Sequence, residues 1–133
     1  MRIWMAGLAA AAPVVLAGCA AGIQPDSPSV SYTVPRSYQT VYLRAQNQAS
    51  ECLRGESHFD VRSKVDPAMQ SGVVSVTDPL TGIEVARTTL KAVDAKHTRV
   101  EHVVWGKGSW DINALNAMRE SIRMDASVCF AYK

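Results

Sequence analysis

The apolar residues of this chain change their spacing twice, and that change decides what it can fold into. Tyr38, Val41, Tyr42, Ala45, Ala49, Cys52 and Leu53 fall at i, i+3, i+4, i+7, i+11, i+14 and i+15, one stripe of a helix. Arg44, Gln46, Asn47, Gln48, Ser50 and Glu51 take the wet side. Ser37 is placed to cap its start and Gly55 to end it in a left-handed conformation. The period then becomes two: Phe59, Val61, Ser63 and Val65 alternate with Asp60, Arg62 and Lys64 until Asp66-Pro67 breaks the run. A second strand, Val73 to Thr77, leads into the loop Asp78-Pro79-Leu80-Thr81-Gly82, with Pro and Gly where a hairpin wants them. A third strand runs from Ile83 to about Ala92, Asp94-Ala95-Lys96 turns the chain, and a fourth covers Thr98 to Trp105. Helical spacing returns after Gly106-Lys107-Gly108. Ser109 or Asp111 caps a helix with the stripe Ile112, Leu115, Met118, Ile122 and Ala126, opposed by Asn113, Asn116, Arg119, Glu120 and Arg123.

Two amphipathic helices each need an apolar surface to lie on, and a sheet of alternating strands offers one. The predicted fold class is therefore α+β, a four-stranded antiparallel meander with an N-terminal and a C-terminal helix packed on one face, α-β-β-β-β-α. The other face is wet or free for binding. Successive reversals make the two helices antiparallel, so a late Cys in each would sit at opposite ends of the domain. Joining Cys52 to Cys129 requires the tail after about Met124 to leave the helix and turn back, or the helices to cross steeply.

Ahead of this domain lies Arg2, an apolar run from Ile3 to Leu16, and the tetrad Leu16-Ala17-Gly18-Cys19. The run is too short to span a bilayer comfortably. The tetrad resembles the lipobox of bacterial lipoproteins at every position. That resemblance implies a signal peptide over 1–18, cleaved, and a mature chain of about 115 residues beginning at Cys19. It implies a covalent diacylglycerol and an N-acyl chain on Cys19, with no other cofactor. Each buried methylene contributes ~0.8 kcal/mol, so two or three chains hold the protein at the membrane. Ala20 and Ala21 are not the Asp that retains lipoproteins in the inner membrane under enteric-type sorting, which implies the periplasmic face of the outer membrane.

Residues 19–35 carry Pro25, Pro28 and Pro35 among polar residues and read as a semi-extended tether, able to lift the domain some 40 Å if fully stretched. Val30, Tyr32 and Val34 alternate with polar residues, so its end is able to lay a short strand on the domain. Residues 36–133 form a single α+β domain, the size at which one modest core can be buried.

With Cys19 acylated, two thiols remain, Cys52 and Cys129. In an oxidising periplasm they read as one disulfide; the alternative is two free, buried, hydrophobe-like cysteines. A metal site is not expected, because two Cys without neighbouring His at ligand spacing cannot complete a tetrahedron. Arg2 leaves with the leader, so the 14 Lys and Arg and 12 Asp and Glu come close to balance in the mature chain. That balance argues against nucleic acid and against a polybasic membrane patch.

Nothing in the pattern demands catalysis. His58, His97 and His102 form no HExxH, and His58 with Asp60 and His102 reads as surface chemistry. No GxSxG elbow, P-loop or dinucleotide fingerprint is present. Asp111 and Glu120 fall on opposing helix faces and do not pair. The expectation is a non-enzyme. Trp105 and Trp110 bracket the glycine loop, either as the plug of a small core or as partner-binding anchors. Phe130 and Tyr132 are expected to pack around Cys129.

The lipobox, the Pro-rich tether, the helix end Glu51-Cys52-Leu53-Arg54-Gly55 and the late Cys129 together resemble small proteobacterial outer-membrane lipoproteins. The layout is similar to helix-and-sheet accessory lipoproteins of β-barrel assembly and lipopolysaccharide export. The resemblance implies a non-enzymatic interaction or accessory module of the cell envelope, with the membrane and an envelope protein as partners. The rival readings are a lipid or small-ligand carrier, which needs an apolar cavity between helices and sheet, and an inhibitor of a cell-wall hydrolase, which needs a rigid loop with a polar tip.

Overall fold

A computed structural model of the chain describes residues 21–130. The elements run β1 (Ser29–Val34), α1 (Tyr38–Cys52), β2 (Asp60–Asp66), β3 (Ser71–Thr77), β4 (Glu84–Asp94), β5 (His97–Val104) and α2 (Ile112–Met124). The meander from β2 to β5 is the one predicted. The sheet, however, has five strands rather than four, in the order β1-β5-β4-β3-β2, all antiparallel.

The added strand comes from the span read as tether. β1 pairs with β5 in a register that sets Val30 against His102, Tyr32 against Val100 and Val34 against Thr98. An unpaired β5 edge would leave a row of backbone donors and acceptors open, and β1 closes it. Pro28 and Pro35 flank the strand instead of interrupting it, as the missing N–H of proline requires. The chain joins the domain even earlier. Gly22 is buried, and the N–H of Ile23 donates to the carbonyl of Glu84. A turn closed by Gln24 and Ser27 then carries the chain to Pro28, whose carbonyl accepts from Val104.

Because β1 and β2 occupy opposite edges, α1 must cross the sheet between them. It lies over β2, β3 and β4, while α2 lies over β1 and β5 and packs against α1. Both helices thus cover one face, as the two apolar stripes require. Val41, Ala45, Ala49 and Leu53 of the α1 region meet Val74, Val76, Ala86, Leu90, Val100 and Val104 of the sheet and Leu115, Met118 and Ile122 of α2. Burying a side chain such as Leu90 or Ile122 contributes roughly 1.5–3 kcal/mol each.

The helix ends are set locally. Ser37 Oγ accepts from the Thr40 amide, and the Asp111 carboxylate accepts from the amides of Asn113 and Ala114. Ile112, expected on the buried stripe, is 54% exposed: at about 100° per residue it lies off the arc of Ala114, Leu115, Met118, Ser121 and Ile122 that faces the core. Ala114, Leu115, Ala117, Met118, Ser121 and Ile122 form the buried face. The loop Asp78–Gly82 closes as predicted: the Asp78 amide donates to Ile83, Gly82 donates back to Asp78, and the Asp78 carboxylate accepts from Leu80 and Thr81. At this Asp78 end of the sheet also lie the end of α1, the start of α2 and the Gly106–Ser109 loop. The β2–β3 and β4–β5 turns, with Met69 and Val93, mark the opposite end.

Candidate functional site

The helices do run antiparallel, so the start of α2, not its end, lies beside Cys52. The tail resolves this. Asp125 takes a left-handed conformation, φ 51°, that ends α2, and residues 125–129 return along α1. Asp125 and Ser127 meet Arg44, Val128 meets Gln48, and Cys129 meets Cys52, one helical turn of α1 for each step. The Cα atoms of Cys52 and Cys129 are 4.7 Å apart across 77 residues. That separation lies within the roughly 4.4–6.8 Å a disulfide spans, so the pair is able to form one.

Gln48 guides the tail. Its Nε2 donates to the Val128 carbonyl at 2.6 Å and its Oε1 accepts from the Val128 amide at 2.8 Å. Polarity alone suggests the wet side of the helix for this residue, yet it is 2% exposed. The signal was present in the spacing, since Val41, Ala45, Gln48 and Cys52 share one stripe. A buried amide in that stripe is satisfied only by a backbone segment that the helix alone does not supply.

Trp110 is a plug. Its ring stacks on Phe59 with centroids 4.6 Å apart, and its Nε1 donates to the Leu53 carbonyl at 2.8 Å, fastening the start of α2 to the end of α1. Trp105 is half-buried against the core, with the Lys107 ammonium 5.9 Å from its ring centroid. Each ring keeps an accessible part at the Asp78 end. Around the Cys52–Cys129 pair, an open hollow is lined by Glu51, Gly55, Ser109, Asp111 and Phe130. Phe130, expected to pack there, is 87% exposed.

His102 is not a surface residue. It points into the core from β5 and is 1% exposed, with Tyr32 Oη 2.7 Å from Nε2 and Thr88 Oγ1 2.7 Å from Nδ1. One ring nitrogen of the neutral imidazole donates and the other accepts, and either hydroxyl can answer both roles. Burial, with the nearby Arg119 charge, pushes its pKa down to about 3. Burial also raises the Tyr32 pKa. The cluster is a satisfied neutral network, with His102 and Thr88 buried and Tyr32 half-buried at its edge. His58 stands apart in the left-handed turn before β2, exposed, with φ 51°.

The uncovered face of the sheet carries the other register of each strand. Arg62, Lys64, Lys91 and Arg99 are exposed there, with Val73 37% exposed among them; the carboxylates of this face are the exposed Asp66 and Glu101 and the half-buried Asp60 and Glu84. Lys91 lies directly opposite Arg99 across the β4–β5 ladder, a like-charge juxtaposition that costs rather than stabilises. None of these four cations makes an ion pair among the described residues. Arg87 is paired with Glu84.

Cys19, the expected leader 1–18 and Tyr132 lie outside the described residues. Among the described residues there is no helix long and apolar enough to cross a membrane and no group of His, Cys, Asp and Glu able to hold a metal ion. No protein-family model and no curated protein matches the chain.

Proposed function

We propose that this protein is a lipid-anchored, periplasm-facing module of the outer membrane that binds an envelope partner and catalyses nothing. The observation that carries the binding part is the bare face of the sheet. Both helices lie on one side, and the other presents Arg62, Lys64, Lys91 and Arg99, none of them in an ion pair among the described residues, around Val73. A partner with an acidic, flat surface would relieve the Lys91–Arg99 juxtaposition and gain those charges on contact. The anchoring part rests on the Leu16–Cys19 lipobox resemblance.

The rival readings find less support. A carrier needs room between helices and sheet, and the space there, lined by Ala45, Gln48, Val76, His102 and Met118 among others, is about 10 Å³, the size of a single water. An inhibitor of the kind anticipated needs a polar loop tip, whereas the Asp78–Gly82 loop presents Leu80, 94% exposed.

Photocrosslinking residues placed at Val73, Thr89 and Arg99 in intact cells test the reading. A discrete adduct from the sheet face, absent from a control at the exposed Leu43 of α1, is the expected result. Adducts from Leu43 alone would sink it. The anchor is tested separately: Cys19→Ser should leave an unprocessed precursor that takes up no labelled fatty acid.

A further inference from the structure

Gly22 fixes where the chain leaves the domain. It has φ +87°, and a Cβ there would stand 2.4 Å from Ile83 Cγ2 and 2.6 Å from the Glu84 carbonyl oxygen, so only glycine fits against that backbone. The next residue, Ile23, donates to the Glu84 carbonyl. The docking point is therefore the Asp78 end of the sheet, at the base of the β3–β4 hairpin.

Only three peptide steps separate Cys19 from Gly22. Fully extended, they reach about 10 Å. If Cys19 carries the acyl chains, Gly22 lies within that distance of the lipid, and the 40 Å spacer read from the prolines is not available. The end of the domain nearest the anchor carries its two most exposed large apolar side chains. Leu80, 94% exposed, stands at the tip of the hairpin whose base touches Gly22, and Phe130, 87% exposed, is at the same end. The Asp78 carboxylate is occupied within the loop by the Leu80 and Thr81 amides, leaving Pro79-Leu80-Thr81 as a tip with no charged side chain.

We infer that the Asp78 end of the domain rests on the lipid leaflet that holds the anchor, with Leu80 set into the lipid interface. This rests on the lipobox reading and adds an orientation to it. The occupant is lipid because the chain that would carry the acyl groups ends too close to this surface for a protein layer to intervene. The Met69 end then stands away from the membrane. The bare sheet face runs up from the surface and stays accessible to a partner, while the Trp105–Trp110 loop belongs to the membrane end.

The acylated chain, purified and reconstituted into phosphatidylethanolamine–phosphatidylglycerol vesicles with brominated acyl chains, tests the inference. Leu80→Trp and Val93→Trp are compared, each as the difference from the parent chain, whose Trp105 and Trp110 set the baseline. Leu80→Trp should lose about half of its added emission, as a side chain set about 5–10 Å into the headgroup–acyl boundary would. Val93→Trp, at the far end, should lose none. A Gly-Ser insertion of about twenty residues between Ala20 and Ala21, with a reach of ~25 Å, should abolish the Leu80→Trp quenching. Unquenched Leu80→Trp, equal quenching at both positions, or quenching that survives the insertion overturns the orientation. Flotation with the vesicles separates the two ideas. A chain that does not float through Cys19 sinks the anchor and the orientation together, whereas one that floats with Leu80→Trp unquenched sinks the orientation alone.

Discussion

Replacing both Cys52 and Cys129 by Ser should remove the disulfide for which the pair is placed, with Cα atoms 4.7 Å apart across 77 residues. In the chain-entropy view, closing a loop of that length stabilises by roughly 4.5 kcal/mol at 25 °C, an upper figure because residual structure in the unfolded chain reduces it. For a domain near 100 residues this corresponds to a fall in melting temperature of roughly 15–25 °C. Such a loss is a large share of the roughly 5–15 kcal/mol by which a domain is stable. The tail is not held by sulfur alone, since Gln48 binds Val128 and Arg44 binds Asp125 and Ser127. The double variant should therefore fold, with the tail more open to hydrogen exchange. Thermal melts of the unreduced protein, the reduced protein and the double serine variant measure the effect, and the last two should coincide. Two free thiols in unfolded, unreduced mature protein would refute the bond. A melting temperature unmoved by reduction would refute the energetic reasoning even with the bond present.

Gln48→Ala should cost about 2–4 kcal/mol in chemical denaturation, because it strands the Val128 backbone carbonyl and amide, and the Cys52–Cys129 pair should then be reduced faster by added thiol. Unfolded His102 titrates near its ordinary 6.5 and folded His102 near 3, so the unfolded chain binds the extra proton between those values. Stability should be fully present above pH 6.5 and fall by up to about 1.4 kcal/mol per pH unit below it; in His102→Phe, that part of the acid dependence in urea titrations from pH 7 to 4 should vanish. Trp110→Phe keeps the stacking on Phe59 but loses the bond to the Leu53 carbonyl, which is expected to cost about 1–3 kcal/mol in the same titrations.

What the sequence by itself determined is what neighbours along the chain decide. Ser37 and Asp111 cap their helices through amides two or three residues on, and the Asp78 loop is closed by its own carboxylate. The periods of 3.6 and 2 assign helix and strand because burial acts on side chains at fixed offsets. The α+β class and the four-strand meander follow, since hairpins join consecutive strands. Tertiary structure alone decided the pairings between distant segments. β1 is a strand because β5, some seventy residues later, offers an edge to alternating Val30, Tyr32 and Val34. Read locally, the alternation allows a short strand, but the prolines assign the stretch to a tether and nothing nearby shows the edge it pairs with. Gln48 and His102 have polar names and buried places because their partners, the Val128 backbone and the Tyr32 and Thr88 hydroxyls, arrive from other elements. Gly22 shows the same limit at the other end of the chain. Its glycine is required by contact with Ile83 and Glu84, and no pattern within residues 20–24 announces a neighbour sixty residues away.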